Sequence, residues 1–236
     1  MTERRIIVAL DVSNATELRE LVEQIKGADC RVKIGKELFT SIGPLAIEIC
    51  HDAGLDVFLD LKFHDIPNTC AKAVRAAARW GVWMTNLHCS GGADMMLTVR
   101  EMLEGERHRP LLIGVTVLTS MSLAGLRQLG IERDLESHVD YLAVLAHVAG
   151  LDGVVCSGQE TQRLRQSIGK SFCLVTPGIR PTWANDNDQV RIVTPAQAIA
   201  HGSDYLVIGR PITKAPEPRE ALKNIVKEIR NWSENN

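Results

Sequence analysis

Short runs of apolar and β-branched residues alternate with stretches of helical periodicity along the whole chain, and this alternation limits the possible folds most strongly. It is typical of parallel strands that are joined by crossover helices. The first five runs begin about 25 to 28 residues apart, close to the length of one minimal strand and helix unit. The runs that we interpret as strands are Ile6 to Leu10, Arg31 to Gly35, Val57 to Lys62, Trp83 to His88, Leu111 to Leu118, Gly153 to Cys156, Phe172 to Thr176 and Tyr205 to Gly209.

The segments between these runs carry apolar residues at helical spacing. The segment Ala15 to Ile25 begins within Asn14-Ala-Thr-Glu17, an order that predicts a capping box. A short extra helix fits Ser122 to Gly130. The other segments that we predict to be helical are Gly43 to Ala53, Asn68 to Arg79, Ala93 to Leu103, Leu135 to Ala149, Gln159 to Ile168, Pro195 to Ala200 and Pro218 to Trp232. Eight strands with at least eight helices predict a single (β/α)8 barrel domain over residues 1–236.

An open, doubly wound parallel sheet is the main alternative to the closed barrel. Such sheets carry a Gly-rich dinucleotide fingerprint after the first strand, whereas this chain continues Ala9-Leu-Asp-Val-Ser13. A length of 236 residues also allows one barrel, since barrels run to about 200 to 250 residues as one unit. We therefore favour the closed barrel.

Charge and hydropathy limit the kinds of partner. Lys and Arg number 27 against 29 Asp and Glu, a net charge of −2, so there is no basic field for nucleic acid and no polybasic run for a membrane surface. No apolar run approaches the roughly 20 residues that span a bilayer, and Ile6 to Leu10 is too short for a signal peptide. We expect a cytosolic protein that binds a small molecule, and neither nucleic acid nor membrane.

The cysteines and histidines show no metal-binding pattern. The six cysteines are widely spaced without a C-x-x-C pair, which predicts small, buried, apolar side chains. The seven histidines form no H-E-x-x-H or other zinc spacing. We therefore expect no metal site.

Charged residues collect where the first three predicted strands end, namely Asp11, Lys33, Asp60, Lys62 and Asp65. In a barrel the chemistry lies at the carboxyl ends of the strands. The two-residue period of a strand puts Asp60 and Lys62 on one face, which we expect to be the interior. Because unpaired buried ions are costly, Lys33 should pair with Asp60, and Lys62 with Asp60 or Asp65. A structural ion-pair network can account for any single pair, but the convergence of four charges, Lys33, Asp60, Lys62 and Asp65, favours a functional site.

The loops after the last two predicted strands are suited to phosphate. In this fold phosphate commonly binds at these loops, where Gly lets the backbone approach and Arg forms bidentate bonds. We therefore expect a phosphate monoester ligand, over which the polar loop 181–189 can close, with Asp188 and Gln189 as candidate contacts. The two loops read Thr176-Pro-Gly178-Ile-Arg180-Pro and Ile208-Gly209-Arg210-Pro-Ile-Thr213.

The segment Asp60-Leu-Lys62-Phe-His-Asp65-Ile66-Pro-Asn-Thr69 closely resembles the signature of the orotidine 5′-phosphate decarboxylase family, which catalyses the last step of de novo UMP synthesis. The similarity covers nearly the whole chain, and the sequence resembles the bacterial form of the family. It continues at Val8 to Asp11, Lys33 to Lys36, Val115 to Ser120, Thr176 to Pro181 and Ile208 to Pro211.

The resemblance implies an enzyme without cofactor or metal, which removes the carboxylate from C6 of orotidine 5′-phosphate and forms a homodimer with two active sites at the interface. It implies that Lys62 donates a proton to C6, and that Lys33, Asp60 and Asp65 complete the charged network. It further implies that Asp65 and Thr69 reach the neighbouring subunit's site. The remaining implied substrate contacts are Asp11 and Lys33 at the ribose hydroxyls, Thr119, beside Ser120 and Ser122, at the pyrimidine, Arg180, Gln189, Gly209 and Arg210 at the phosphate side, and Ile66.

Three other functions remain as alternatives. Magnesium-dependent sugar-phosphate enzymes of the same superfamily share the D-x-K-x-x-D element and place an acid near the end of strand two as a metal ligand. In this chain Lys33 and Lys36 lie there and would repel a divalent ion, and Glu37 is the one acid nearby. A Schiff-base aldolase needs a desolvated, uncharged lysine, whereas Lys62 lies between two acids. A catalytically silent nucleotide-binding module would not require four buried charges.

Overall fold

A closed barrel of eight parallel strands forms the centre of the protein, and each strand pairs with its neighbours in chain order. The computed structural model describes residues 4–184 and 193–235. Because β8 pairs with β1, the closed (β/α)8 barrel is confirmed and the open sheet is excluded. The strands are β1 (Ile6–Ala9), β2 (Arg31–Gly35), β3 (Val57–Phe63), β4 (Met84–His88), β5 (Leu111–Val115), β6 (Gly153–Val155), β7 (Cys173–Thr176) and β8 (Tyr205–Ile208).

Helices cover the outside of the barrel. Within the described ranges none of them combines the length and the apolar character needed to cross a bilayer. A 3₁₀ turn lies at Cys89–Gly91. The α-helices are α1 (Ala15–Ile25), α2 (Lys36–Ile42), α3 (Leu45–Asp52), α4 (Pro67–Arg79), α5 (Gly92–Glu104), α6 (Leu123–Gln128), α7 (Leu135–Val148), α8 (Thr161–Ile168), α9 (Pro195–Ala200), α10 (Arg210–Thr213) and α11 (Pro218–Asn235).

The predicted elements are present, with differences at their ends. Helix α2 has no counterpart in the sequence prediction, because it buries only Leu38 and so lacks an apolar period. The helix predicted from Gly43 begins at Leu45, since Gly43 has φ 61° and ends α2. The predicted strand Leu111 to Leu118 stops at Val115, so that the following residues leave the sheet.

The first helix begins much as its sequence predicts. The Asn14 side chain accepts a hydrogen bond from the backbone N–H of Glu17 at 3.0 Å. The Glu17 carboxylate accepts from the backbone N–H of Ser13 at 3.3 Å, instead of from Asn14. Two backbone donors at the helix start are therefore satisfied, as in a capping box displaced by one residue.

Alternation along the strands separates two layers of core. Outward residues of β1 and β2, such as Val8 and Ile34, pack against the helices. The inward set fills the interior with apolar side chains, which are Ile7, Ala9, Phe58, Met84, Ile113, Val175 and Val207. Lys33 and Asp60 lie on these inward faces, two residues beyond Arg31 and Phe58. The interior is therefore apolar in its lower part and charged toward the carboxyl ends of β2 and β3.

Candidate functional site

Three ion pairs link charged side chains at the carboxyl ends of β1, β2 and β3. The Nζ atom of Lys62 lies 2.6 Å from Oδ1 of Asp60, and the Nζ atom of Lys33 lies 3.3 Å from Oδ2 of the same carboxylate. Lys33 also lies 3.6 Å from Oδ1 of Asp11. The pairing of Lys33 with Asp60 is the one expected from the sequence. For Lys62 the sequence leaves Asp60 and Asp65 as possible partners, and in the structure the partner is Asp60.

This cluster is only partly in water. The side chains of Lys33 and Asp60 are 12% and 11% exposed, whereas that of Lys62 is 26% exposed and that of Asp11 is 62% exposed. Two ammonium groups therefore flank one largely desolvated carboxylate, an arrangement that is stable only because each charge has a close partner. Lys62 keeps the access to solvent that a side chain needs to meet a ligand.

The backbone at Lys62 is unusual. Its φ of 52° is the only positive value at a non-glycine position in the described part of the chain, and such a conformation costs about 1 to 3 kcal/mol. The pairing of β3 with β4 shifts register here, because Leu59 pairs with Thr85 whereas Phe63 pairs with Leu87. The extra length of β3 forms a bulge, a feature that often re-aims a side chain next to a site.

A buried asparagine, which sequence reasoning missed, holds this bulge. The Oδ1 atom of Asn86 accepts the backbone N–H of Lys62 at 2.8 Å, and its Nδ2 atom donates to Oδ1 of Asp60 at 2.7 Å. Asn86 is 0% exposed. The one signal in the sequence is a polar amide inside the buried run of β4, where a strand rarely carries Asn.

Asp65, Ile66 and Thr69 stand apart from the cluster. The Asp65 carboxylate accepts the backbone N–H of Ile66 at 2.6 Å and forms no ion pair within the described ranges. Ile66 is 68% exposed, and Thr69 is exposed in the first turn of α4. The described chain therefore leaves these three side chains at the surface, at the start of α4.

The two loops of the expected phosphate site lie at the ends of β7 and β8. Arg180 is buried, and its backbone N–H donates to the carbonyl of Val193 at 3.1 Å. Gly209 precedes α10 and lies next to Asp11, since an added Cβ atom would be in ordinary contact with its Oδ2 at 3.4 Å. Arg210 is exposed at the first position of α10. Gln189 and Asp188 lie outside the described residues.

Cavities join the cluster to the barrel mouth. One of about 220 Å³ has Lys33, Asp60 and Lys62 on one side, and apolar strand residues such as Val175 on the other. A second, of about 170 Å³, is lined by the same three side chains together with Asp11, Lys36 and Glu37. Lys62 therefore lines two cavities, one with an apolar wall and one in which most of the lining side chains are charged.

A third cavity, of about 450 Å³, lies between the loops that follow β5, β6 and β7. Thr119, Ser120 and Ser122 all line it, but only Thr119 also lines the 220 Å³ cavity shared with Lys62. The structure thus distinguishes the three hydroxyls by their access to the charged cluster. Trp183 is half exposed on the loop that follows β7.

The remaining titratable groups add no cation site. The described residues hold no group of three or more His, Cys, Asp or Glu side chains able to bind a metal ion. Five of the six cysteines are buried as expected, whereas Cys173 is partly buried. Burial raises the pKa of Cys30 and of Cys50 to about 12, which keeps these thiols protonated. Burial also lowers the pKa of His88, and the charges of His64, Lys36 and Lys62 lower it further, so its imidazole is held neutral beside the cluster.

Fold and site together define a class, the (β/α)8 barrel proteins that carry their chemistry-bearing side chains at the carboxyl ends of the strands. Residues 4–225 match the family described as "Orotidine 5'-phosphate decarboxylase / HUMPS family". The chain belongs to this family, as its signature from Asp60 to Thr69 indicates.

Individual relatives are similar over almost their full length. The orotidine 5'-phosphate decarboxylases of Hahella chejuensis and Vibrio cholerae are 56% and 57% identical over 95% of this chain and 97% and 98% of their own. The crystal structure of orotidine 5'-phosphate decarboxylase from Lactobacillus acidophilus superposes with a TM-score of 0.86 at 38% identity, covering 96% of this chain and 99% of that one.

Proposed function

We propose that the protein is a cytosolic homodimer that converts orotidine 5′-phosphate to UMP and carbon dioxide without a cofactor or metal. The observation that carries the proposal is the Lys62 ammonium, held 2.6 Å from Asp60 where a charged and an apolar compartment meet. Relatives that are 56% and 57% identical bear the name of this activity.

The proposed reaction requires a cation beside C6, the carbon that loses the carboxylate. The bond from C6 to the carboxylate breaks, carbon dioxide leaves, and both electrons stay on C6 in an orbital of the ring plane that is poorly delocalised. The Lys62 ammonium stabilises this negative charge and then donates its proton to C6, which gives UMP. The neutral amine regains a proton from water. Charge and protons therefore balance within the site.

Asp60 has two uses in this scheme. It keeps both lysines charged and aimed, since its two oxygens lie 2.6 and 3.3 Å from their nitrogens. It also crowds the substrate carboxylate, so that departure of carbon dioxide relieves a repulsion. The first use is supported by the observed ion pairs, and the second follows if the carboxylate binds beside Lys62.

In this proposal the ribose and the pyrimidine of the substrate bind in the two cavities that Lys62 lines. Asp11 and Lys33 bind the ribose hydroxyls in the polar cavity that they line together. Thr119 contacts the pyrimidine edge, a role supported by its position on the cavity that Lys62 also lines. Ser120 and Ser122 line only the 450 Å³ cavity and are less suited to that contact.

Phosphate binds at the loops after β7 and β8, through Arg180, Gln189, Gly209 and Arg210. Because the phosphate is remote from C6, its binding energy can close loop 181–189 and exclude water, which favours the transition state as well as substrate affinity. Arg210→Ala should therefore lower kcat/KM by several orders of magnitude while the protein stays folded. A loss below about tenfold would count against this role.

Each active site is shared between two subunits, with Asp65, Ile66 and Thr69 acting across the interface. The exposure of Ile66 and the absence of an ion pair at Asp65 within the described ranges support a partner contact there. Mixing inactive Lys62→Ala with inactive Asp65→Ala protein should restore activity, because some heterodimers then contain one intact site. Lasting inactivity despite demonstrated subunit exchange would refute the shared site.

The loss of absorbance on conversion of orotidine 5′-phosphate to UMP tests the function as a whole. We expect turnover that is unchanged by EDTA, whereas a magnesium-dependent relative would lose its activity. Borohydride added during turnover should trap no covalent adduct, whereas a Schiff-base enzyme would be inactivated. Binding of UMP without any turnover of orotidine 5′-phosphate would indicate a silent nucleotide-binding protein.

A further inference from the structure

Asn86 occupies a position in the barrel interior that is directly connected to the candidate catalytic groups. It lies two residues after Met84 on β4, and Met84 belongs to the apolar cluster inside the barrel. Alternation along the strand therefore points the Asn86 side chain inward, one layer closer to the barrel mouth. Asn86 is 0% exposed and lines none of the three cavities described above, so its contacts are with the protein and not with the cavity space.

Its two hydrogen bonds fix its orientation. The Lys62 group that faces Asn86 is its backbone N–H, which can only donate, so the amide oxygen must lie there. The Asp60 carboxylate only accepts, so the amide nitrogen must face that group. The distances are 2.8 and 2.7 Å. A flipped amide would lose both bonds, so Asn86 links the backbone of Lys62 to the carboxylate of Asp60 in a single geometry.

The bulge makes this link necessary. Leu59 and Phe63 remain in the ladder with β4, while the three residues between them stand opposite Asn86 alone. The Lys62 N–H has therefore left the regular strand pairing, and the Asn86 side chain supplies its acceptor. A buried donor without an acceptor is costly, and so is the left-handed backbone of Lys62. The bulge can persist only because neighbouring groups hold it.

We propose that Asn86 is a positioning residue for decarboxylation, which acts by holding Lys62 and Asp60 as one unit and does not touch the substrate. The proposal rests on the proposed function above. The same oxygen of Asp60 receives the Lys62 ammonium at 2.6 Å and the Asn86 amide at 2.7 Å. Loss of the amide frees both the backbone from which the Lys62 side chain starts and the carboxylate at which it ends.

The test compares Asn86→Ala and Asn86→Leu with Thr85→Val. Thr85 is also fully buried and donates its hydroxyl to the Leu59 carbonyl of β3 at 3.1 Å, on the opposite face of the same strand. Thr85→Val thus removes a β3 to β4 hydrogen bond but leaves the cluster intact. Leu has the same number and branching of side-chain heavy atoms as Asn but cannot hydrogen-bond, so it leaves no cavity and serves where the smaller Ala variant fails to fold.

We expect both Asn86 variants to lose about 100-fold or more in kcat, since a misplacement of about 1 Å costs that much. KM and the Kd for UMP should change far less than kcat, by no more than about tenfold, because the phosphate contacts are unaffected and only Lys33, through Asp60, connects Asn86 to the ribose. The kcat of Thr85→Val should stay within about threefold of wild type, although its Tm should fall about as much as the Tm of the Asn86 variants.

Three results would overturn the inference. Asn86→Leu protein that is folded and retains kcat within about tenfold of wild type would refute it. Equal losses of kcat in Thr85→Val and the Asn86 variants would show general loosening of β4 in place of positioning. Wild-type protein that binds UMP but leaves orotidine 5′-phosphate intact would refute the proposed function and, with it, this role of Asn86.

Discussion

Replacing Asp60 by Asn should destabilise the fold far more than the loss of an ordinary surface charge. The change keeps the shape of the side chain but removes the one anion that separates the ammonium groups of Lys33 and Lys62, at 3.3 and 2.6 Å. It also introduces an NH2 group that faces either Lys33 or the amide of Asn86, both of which are donors.

The size of the effect follows from burial and distance. Unit charges 4 Å apart attract by about 4 kcal/mol at an effective dielectric constant of about 20, and both contacts here are shorter. Much of this attraction offsets desolvation, and removal of one partner of a buried ion pair costs about 3 to 5 kcal/mol net. Because the Lys62 side chain is 26% exposed, water can solvate part of its freed charge. We therefore expect the free energy of unfolding to fall by about 3 kcal/mol.

Urea unfolding, followed by circular dichroism at one fixed protein concentration, measures this loss. The control is Glu23→Gln, whose carboxylate lies 3.3 Å from Nζ of Lys26 in a pair whose side chains are 73% and 53% exposed. Exposed pairs contribute about 0 to 1 kcal/mol, so the control should change little. A loss in Asp60→Asn no larger than in Glu23→Gln, or a gain in stability, would refute the view that Asp60 holds the two lysines.

Three further predictions concern other parts of the structure. Gly35→Ala, whose added Cβ would lie 3.2 Å from Nζ of Lys33, should lower kcat/KM about tenfold without loss of stability, whereas Gly105→Ala, in open space, should change neither. The five buried cysteines should react with a disulfide reagent only after unfolding, since burial raises the pKa of Cys50, for example, to about 12. Rapid labelling of more than one cysteine in the native protein would contradict this. Because the pKa of His88 is lowered in the folded protein, the unfolded chain binds a proton there more readily. The free energy of unfolding should therefore fall as the pH drops below about 6.5, and it should fall less in His88→Gln. Equal pH dependence in the two proteins would contradict this prediction.

The ion pair between Lys33 and Asp60 could be predicted from sequence because it depends on regular strands. The two-residue period places Lys33 and Asp60 on inward faces, and the neighbouring strands β2 and β3 bring them to the same end of the barrel, where Gly35 pairs with Asp60. Where strands pair regularly, the position of a residue along its strand therefore predicts which residues on the next strand it can contact.

The contact of Asn86 with the Lys62 backbone, and the choice of Thr119, could not be predicted in this way. The link through Asn86 depends on a register shift and on a left-handed backbone at a lysine, and no glycine marks that position. The choice of Thr119 over its neighbouring serines depends on how the chain folds after β5 ends at Val115. Both depend on irregular backbone, for which a periodic pattern carries no information.

The proton-donating role of Lys62 is tested most directly by the absorbance assay with orotidine 5′-phosphate on wild type, Lys62→Ala and Lys26→Ala. Lys26 is an exposed lysine paired with Glu23 at the end of α1, so its loss controls for the removal of a cation. We predict that wild type and Lys26→Ala turn over alike, and that Lys62→Ala loses turnover while it still binds UMP. Turnover by Lys62→Ala at the wild-type rate would contradict the account.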